Sequence, residues 1–539
     1  MKLGEWLLTK LGATNYVNNL LKKELGGIID YKNYNEDKIL KYNQLLNKLW
    51  YSGNALSLQS FYKLNINPES IKTTITDTSF WKWSDLEPSL TKVHSSFPAS
   101  VSQAMSTLLF SSTPVLDIST GNKETDKKIN KVLDKILESN NLDQLIQEGS
   151  QLESYSGGLA AKFSIDKDFA DYPIIEFYPQ EDVELKYKYG RIYKIIFSDM
   201  YNDGKKNYLL KSVYGYGYIK YKLYEVKEDG SRKEVNLNMC KETKDLRDIY
   251  ILGPDGKPLN IILAVYKKNR TGSVLGRSDY DGLSDAFNVL DSYESLMANY
   301  FRYGAKVKTE FHESELEKDR NGDYKIPSKW GVDAIVLKDS NPMDTAQGIN
   351  RELPLLDITA FTEAINNIKK QILDRVGLSY SVFGLGNSGA GEAAEALMIR
   401  QENSYKTREE KLMLWKPFLR DVCRLSLIYF DVLNNTPEIV EGKMVFIVNN
   451  SYDFDYIIRF APYRVQTDKE RAEDLKAIMD TGLMSKEDAI REYYKDQLSE
   501  EEIENKIQEL KEDKPQPVIN ETIQEEDNKQ TSNEDDNKR

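Results

Sequence analysis

The sequence predicts an α+β protein built from several packed regions. Three observations carry this reading. The chain of 539 residues is too long for one compact core, so two to four packed regions are expected. Its middle alternates short β-type runs with turn signals. Long helical periods then return toward the C-terminal side. Apolar residues make up 40% and charged residues 29%, the balance of a globular protein and not of a disordered or fibrous chain.

Residues 1–150 read as mainly helical. Leu20, Leu21 and the Lys22-Lys23-Glu24 patch fit a short amphipathic helix that stops at Gly26-Gly27. A second helical run spans about 36–50. A third starts at Phe97-Pro98 and carries Val101, Ala104, Met105, Leu108 and Leu109 at helical spacing. It breaks at Ser111-Ser112-Thr113-Pro114, and Val115–Ile118 follows as a strand. Residues 155–268 change character after Gly157-Gly158. Strands are expected at Leu159–Ile165, Ile174–Tyr178, Ile192–Phe197, Leu209–Tyr214, Lys220–Val226 and Ile261–Tyr266. Asp203-Gly204, Asp229-Gly230 and Pro254-Asp255-Gly256 punctuate them, as in an antiparallel sheet or small barrel.

From Ser278 the helical period returns. Leu283, Phe287, Leu290, Leu296 or Met297, and Tyr300 form one stripe over residues 278–303. Residues 304–355 are mixed, with an Asn321-Gly322 turn and a strand at Ala334–Leu337. Ile358, Phe361, Ile365, Ile368, Ile372 and Val376 then alternate by threes and fours, an apolar seam for another helix. A Gly/Ser-rich loop, Ser379–Gly391, separates that helix from a long one running from Glu392 to about Leu433. Pro417 inside it predicts a kink. Strands at Met444–Val448 and Tyr456–Phe460 come next, and residues 467–512 read as two or three short charged helices. Capping-box spacing marks two of their starts, Thr467 with Glu470 and Ser485 with Asp488. From Lys511 the tail has nine acids against five bases and few apolar residues, the composition of a disordered segment.

Charge and special residues exclude several functions. The net charge of −13 argues against a protein whose main task is gripping duplex DNA. Cys240 and Cys423 lie far apart, so no disulfide framework is expected and assembly in a reducing cytoplasm is the default. His94 and His312 lack Cys or His neighbours at ligand spacing and read as surface or packing residues, which leaves no zinc site. No stretch approaches the roughly 18–20 apolar residues of a membrane span, and Glu5 interrupts the first apolar stretch, so no secretory signal is read. Gly384-Leu-Gly-Asn-Ser-Gly389 has dinucleotide-loop spacing but follows a helix instead of a strand, so it reads as a hinge loop. Asp319-Arg-Asn-Gly-Asp323 begins like a calcium loop, yet Tyr324 and Trp330 stand where Gly and Glu are needed. Cys423 sits among Val422, Leu425 and Leu427 as a core residue. Tyr214-Gly-Tyr-Gly-Tyr218 reads as ordinary strand aromatics before a base-stacking platform. No nucleophile elbow, catalytic histidine pair or carboxylate cluster emerges, and no enzyme or cofactor is expected.

The order of parts resembles the portal proteins of tailed double-stranded DNA bacteriophages, especially the long-tailed type, over about residues 1–510. The local stretches that carry it are Met1-Lys-Leu-Gly-Glu-Trp-Leu-Leu8, Leu108-Leu-Phe-Ser-Ser-Thr-Pro-Val115, Gly157-Gly-Leu-Ala-Ala-Lys162, Gly276-Arg-Ser-Asp279, and Ser388-Gly389 with Glu392-Ala-Ala-Glu-Ala-Leu397. Glu392 and Glu395 depart from the more aliphatic start usual there.

The resemblance implies a portal-type fold. Residues 1–276 form a wing (β-rich over 155–268), 277–303 the first stem helix, 304–356 a small α/β clip, and 357–378 the second stem helix. Residues 379–391 are then the tunnel loop, 392–465 the long kinked helix and further wing strands, 466–512 a helical crown, and 513–539 the acidic tail. It implies a cyclic ring of about twelve subunits at one capsid vertex. DNA would pass through without sequence recognition, and no chemistry would occur. Expected partners are the terminase large subunit and then head–tail adaptor proteins at the clip, with scaffold and major capsid protein around the ring. The expected location is the virion, after assembly in the host cytoplasm. Tyr380, Phe383, Leu385, Asn387 and Ser388 would face DNA from the tunnel loop. Asp285, Asp291 and Glu294 of the first stem helix, which also carries Asp279 and Asp281, and Lys369, Lys370 and Arg375 of the second would line the channel. Glu313, Glu315, Lys318, Asp319 and Arg320 would meet the terminase. The alternative is another virion structural protein, of tail or baseplate, which would not need two long helices around a small excursion.

Overall fold

The computed structural model describes residues 36–63, 80–81, 92–203, 206–227, 231–304, 308–312, 317–318, 322, 334–337, 350–352, 358–383, 394–450, 452–461, 468–494 and 500–512. The chain is mixed α+β. It divides into two compact units, Met1–Ala461 and Pro462–Arg539.

In the larger unit, α1 (Glu36–Ser52), α2 (Ala55–Lys63), α3 (Phe97–Leu109), β1 (Val115–Ser119), α4 (Lys123–Ser139) and α5 (Leu142–Ser156) come first. Helix α3 has Pro98 in its first turn, where a missing N–H costs nothing, and buries Val101, Met105, Leu108 and Leu109. Asn122 caps α4 by accepting from the N–H groups of Glu124 and Thr125. Gly157 ends α5 at φ 96° and donates its N–H to the Glu153 carbonyl at 2.8 Å, a left-handed C-cap that suits glycine.

Nine strands follow: β2 (Gly158–Ser164), β3 (Ile174–Pro179), β4 (Val183–Lys188), β5 (Arg191–Asn202), β6 (Asn207–Gly215), β7 (Tyr218–Val226), β8 (Arg232–Val235), β9 (Ile249–Leu252) and β10 (Val265–Lys268). After α6 (Ser284–Gly304) come β11 (Lys308–His312), β12 (Ala334–Leu337) and β13 (Asn350–Glu352). Then come α7 (Ile358–Val376), α8 (Ala394–Asn434), β14 (Glu438–Val440), β15 (Lys443–Ile447) and β16 (Asp455–Arg459).

The main sheet runs β14-β15-β9-β7-β6-β5-β4, with β8 also on β7. Its pairs are antiparallel except β15 with β9. Smaller sheets are β10-β2-β3, β12-β11-β13 and β1-β16. The expected β-rich middle is therefore a sheet, closed on one margin by strands from far along the chain. The strand expected at Ile261–Tyr266 is displaced to Val265–Lys268. Residues 261–264 instead give their backbone to a crossing: Gly217 donates to the Ile261 carbonyl and Tyr429 Oη to the Leu263 carbonyl.

Helix α8 is the spine of the core. Phe110, Trp415, Phe418 and Phe177 form a chain of edge-on rings with centroids 4.8, 5.4 and 5.5 Å apart. Farther along, Tyr429 stacks on Phe163 at 5.2 Å. Pro417 lies inside the helix, which runs on to Asn434. Its ring is on the solvent side between buried Trp415 and Phe418, where water can reach the carbonyl left without an N–H partner.

The smaller unit holds three helices, α9 (Asp468–Asp480), α10 (Lys486–Tyr494) and α11 (Glu500–Glu512). Ser485 caps α10: its Oγ accepts from the Asp488 N–H at 3.1 Å and donates to the Asp488 carboxylate at 2.6 Å. Leu475, Ala489, Ile503 and Ile507 are buried. The segments expected at Leu20–Gly27, at the Thr467 cap and at 513–539 lie outside the described residues.

Candidate functional site: a helix pair above a buried charge cluster

Helices α6 and α7 pack antiparallel, since Glu294 bonds Lys369 at 2.9 Å while Tyr300 meets Phe361 at 5.3 Å. Leu283, Phe287 and Leu290 are buried, as are Ile365, Ile372, Leu373 and Val376 of α7, and Phe287 packs on Trp50 and Tyr280 with ring centroids 5.5 and 5.4 Å away. One apolar set is left outside: Val289, Leu296 and Ile358 are 38%, 43% and 48% exposed. Residues 289 and 296 are two turns apart, so they form a second face on α6.

Helix α6 starts later than its sequence period suggests. Residues 279–283 are turns, not helix, and polar groups at their start are drawn inward. The Ser278 hydroxyl and the Asp279 N–H both donate to the Ser154 carbonyl, at 3.0 and 2.8 Å.

The residues expected to line a channel do not share one environment. Asp285 and Arg375 are exposed. Glu294 and Lys369 neutralise each other, and Lys369 also lies 5.5 Å from the Phe97 ring. Lys370 sits 5.3 Å over Tyr380. Asp291 cannot line a channel, because its side chain is only 1% exposed. It accepts from Trp81 Nε1 at 3.1 Å and the Ser95 N–H at 3.0 Å, and meets His94 Nδ1 at 2.7 Å. Adjacent to Leu290 on the inward arc of α6, it fastens the 92–96 segment to this helix. Asp279, another acid of the expected lining, is buried as well.

Tyr380 and Phe383 belong to a 3-10 turn over Tyr380–Phe383, with Phe383 packed 5.5 Å from Phe97. Leu385, Asn387 and Ser388 lie outside the described residues, as do Glu313, Glu315, Asp319 and Arg320. Lys318 is exposed.

Beneath the pair lies a charge cluster that sequence reasoning missed. Asp279 accepts from Arg270 Nε at 2.7 Å, Lys411 Nζ at 2.8 Å, Ser154 Oγ at 2.8 Å and Asn269 Nδ2 at 3.1 Å. Beside it Lys267 pairs with Glu153, whose other oxygen accepts from Trp415 Nε1 at 2.8 Å. Burial alone would raise the Asp279 carboxyl, but the charges of Lys411 and Arg270 and its hydrogen bonds hold it below the ordinary value. Burial pushes Lys411 down to about 8, with Asp279 opposing. Burial and the charge of Lys411 drive Lys267 well below the usual lysine value. Arg270 also donates to the Val376 carbonyl, the last residue of α7. The cluster thus ties α5, β10, the start of α6, the end of α7 and α8 to one point. Its members are scattered single charges with no spacing signal, so only the fold reveals them.

The turn after α7 is fixed just as tightly. Gly377 has φ +80°, and a Cβ there would stand 2.3 Å from Thr407 Oγ1 on α8. The Leu378 N–H donates to the Leu373 carbonyl at 2.9 Å, and the Ser379 N–H to Ser404 Oγ at 2.6 Å. Arg408, buried on the same helix, donates to the carbonyls of Leu108 and Ala461 at 3.0 and 2.6 Å.

Among the described residues, no group of three or more His, Cys, Asp or Glu is placed to hold a metal ion, and no helix is long and apolar enough to cross a membrane. Cys423 is buried, and burial raises its thiol to about 12. No protein-family model matches the chain, and no curated protein matches it significantly.

Proposed function

We propose that this chain is the portal subunit of a tailed double-stranded DNA phage, a ring-forming conduit for the genome at one capsid vertex. The observation that carries the reading is the helix pair. Two antiparallel helices flank a small three-stranded sheet along the chain, a tight turn at Gly377 follows the second, a 41-residue helix comes later at Ala394–Asn434, and an apolar face stays open in the single chain. A second copy of the same pair, related by rotation, covers such a face, and repeated rotation closes a ring around a hole. In this reading α6 and α7 are the stem, β11–β13 the clip, residues 379–391 the tunnel loop, α9–α11 the crown and the main sheet part of the wing. The chain carries out no chemistry itself. The terminase large subunit and later the head–tail adaptors dock on the clip, and scaffold and major capsid protein surround the ring. Asp285 and Arg375, exposed on the stem, are the channel charges this reading retains; DNA then meets few fixed holding points.

The test is the oligomeric state of the purified chain, by mass measurement and negative-stain electron microscopy. Rings of about twelve subunits with a central hole are expected. Leu296→Asp, a charge on the open face, should shift rings to smaller species without unfolding the monomer. A monomer at every concentration would overturn the proposal, and a filament or spike would move the chain to the tail or baseplate.

A further inference from the structure

The main sheet has two unlike faces. Successive side chains of a strand alternate between them. One face carries Phe197, Tyr214, Ile219 and Leu223, all buried. The register places Lys186, Lys194, Lys211, Lys220, Lys222 and Lys443 together on the opposite, solvent face. Glu184, Glu234 and Glu438 are the acids that share it. A basic face on a chain of net charge −13 runs against its composition.

The arrangement also runs against sheet stability. Lys186 stands directly opposite Lys194, and Lys211 directly opposite Lys222. Like charges in such cross-strand positions repel. Glu184 relieves part of this by bonding both Lys186 and Lys211, at 2.6 and 3.0 Å, and Glu234 bonds Lys222 at 3.2 Å. Lys194 and Lys220 have no carboxylate partner among the described residues. Tyrosine rings support them instead: Lys194 lies 5.4 Å from Tyr193, and Lys220 lies 5.3 and 6.0 Å from Tyr218 and Tyr250. Lys443, paired with Glu441 at 3.3 Å, also approaches Tyr250 from the next strand at 5.8 Å. A ring holds an ammonium in place without cancelling its charge. For Lys194 and Lys220 the neutralising anion then comes from outside.

We infer that this face binds the phosphate backbone of nucleic acid, without sequence preference, as a surface separate from the helix pair. Lys220 and Lys222 stand about 7 Å apart along one strand, and Lys186 with Lys194 and Lys211 with Lys222 about 5 Å apart across strands, spacings that fit successive phosphates of a polyanion. An acidic peptide would need an apolar pocket for an anchor side chain, whereas the lysines here alternate with tyrosines already engaged by them. Binding would be weak and salt-dependent, since released counterions supply the affinity. The inference does not depend on ring assembly.

The test is fluorescence anisotropy of a short labelled duplex titrated with the full chain at several salt concentrations. Saturable binding is expected, with log affinity falling linearly against log salt. The triple change Lys194→Glu, Lys220→Glu, Lys222→Glu should weaken it by about tenfold or more and lower the salt slope by about three. The triple change to Gln, which adds no repulsion, should give a smaller loss in the same direction and guards against misfolding. Changing Lys127, Lys128 and Lys131 of α4 to Glu should leave binding within about twofold of the parent, because that face is not arrayed on tyrosines. A chain that binds no duplex at low salt overturns the inference. So does a sheet variant that behaves like the α4 control. Binding of poly-glutamate without binding of duplex overturns it in favour of an acidic protein partner.

Discussion

Two regions of this molecule concentrate lysine and treat it in opposite ways. At the base of the helix pair, Lys267 and Lys411 are buried and each meets a carboxylate. On the solvent face of the main sheet, Lys194 and Lys220 are held by tyrosine rings. Desolvation explains the contrast. A buried ammonium without a counter-charge costs several kcal/mol, so the cluster must be internally balanced. An exposed ammonium keeps its hydration and can wait for an external anion. The same residue type is thus a fastening in one place and an available charge in the other.

The largest effect should come from breaking the balance of the buried cluster. Asp279→Ala leaves Lys411 and Arg270 without their carboxylate and should cost about 3–5 kcal/mol in denaturant unfolding. Asp279→Leu combined with Lys411→Met should cost clearly less than Asp279→Ala alone, because the fully buried ammonium goes with its carboxylate and only Arg270, one-third exposed, loses a partner. A double variant as damaged as the single one would mean that packing, not charge, governs the site.

The pH dependence sharpens the same contrast. Tyr62 is raised to about 12 by burial, and Cys423 is likewise near 12. Their stabilisation is complete below their unfolded values, about 10 and about 8.5, and is lost as pH rises toward 12. Tyr62 alone accounts for about 2–3 kcal/mol of that loss. Lys411 acts in the other sense. Its folded value near 8 lies below the unfolded one, so its contribution improves between about pH 8 and 10.4. Asp279, lowered in the fold, contributes above the ordinary carboxylate value and loses that contribution as pH falls through its folded value. Unfolding free energy measured against pH should therefore fall steeply above about pH 10. Lys411→Met should expose a fall between about pH 8.5 and 10, where the Lys411 gain otherwise offsets the loss from Cys423.

Next in size is the turn after α7. Gly377→Ala must hold φ +80° and meet Thr407, at a cost of about 1–3 kcal/mol by thermal unfolding. Adding Thr407→Ala should recover the steric part and leave the backbone part. The smallest effects belong to the exposed lysines. The Gln triple on the sheet should change stability by no more than about 0.5 kcal/mol, even as duplex binding falls. A larger loss would make those lysines structural and erase the contrast between the two regions.

The periodicity of the chain made much of the fold legible. The seam from Ile358 to Val376 is one helix, and Leu283, Phe287 and Leu290 are buried together as their spacing requires. The Ser485 cap begins a helix as its spacing requires. Strand β4 was within reach too, since Val183–Lys188 alternates apolar and polar residues, but its lysines and glutamate hid it as a surface segment. Strands β9 and β14 were harder. Each is short and is defined by a partner far away in sequence, β9 by β15 and β14 by its hairpin onto that strand.

The site divides along the same line. Sequence alone placed the helix pair, the turn and their charges in order, because apolar spacing and glycine encode local conformation. It did not distinguish Asp285, which faces solvent, from Asp291, which is buried against Trp81 and His94. Both are acids on one helix, and which of them is desolvated depends on segments distant in the chain. Nor did it gather Glu153, Lys267, Asp279 and Lys411 into one cluster, or set six lysines on one face of a sheet. Those facts arise from strand register and from helices meeting at one point. Long-range packing decided them, since the energy of a charge is set by its neighbours in space.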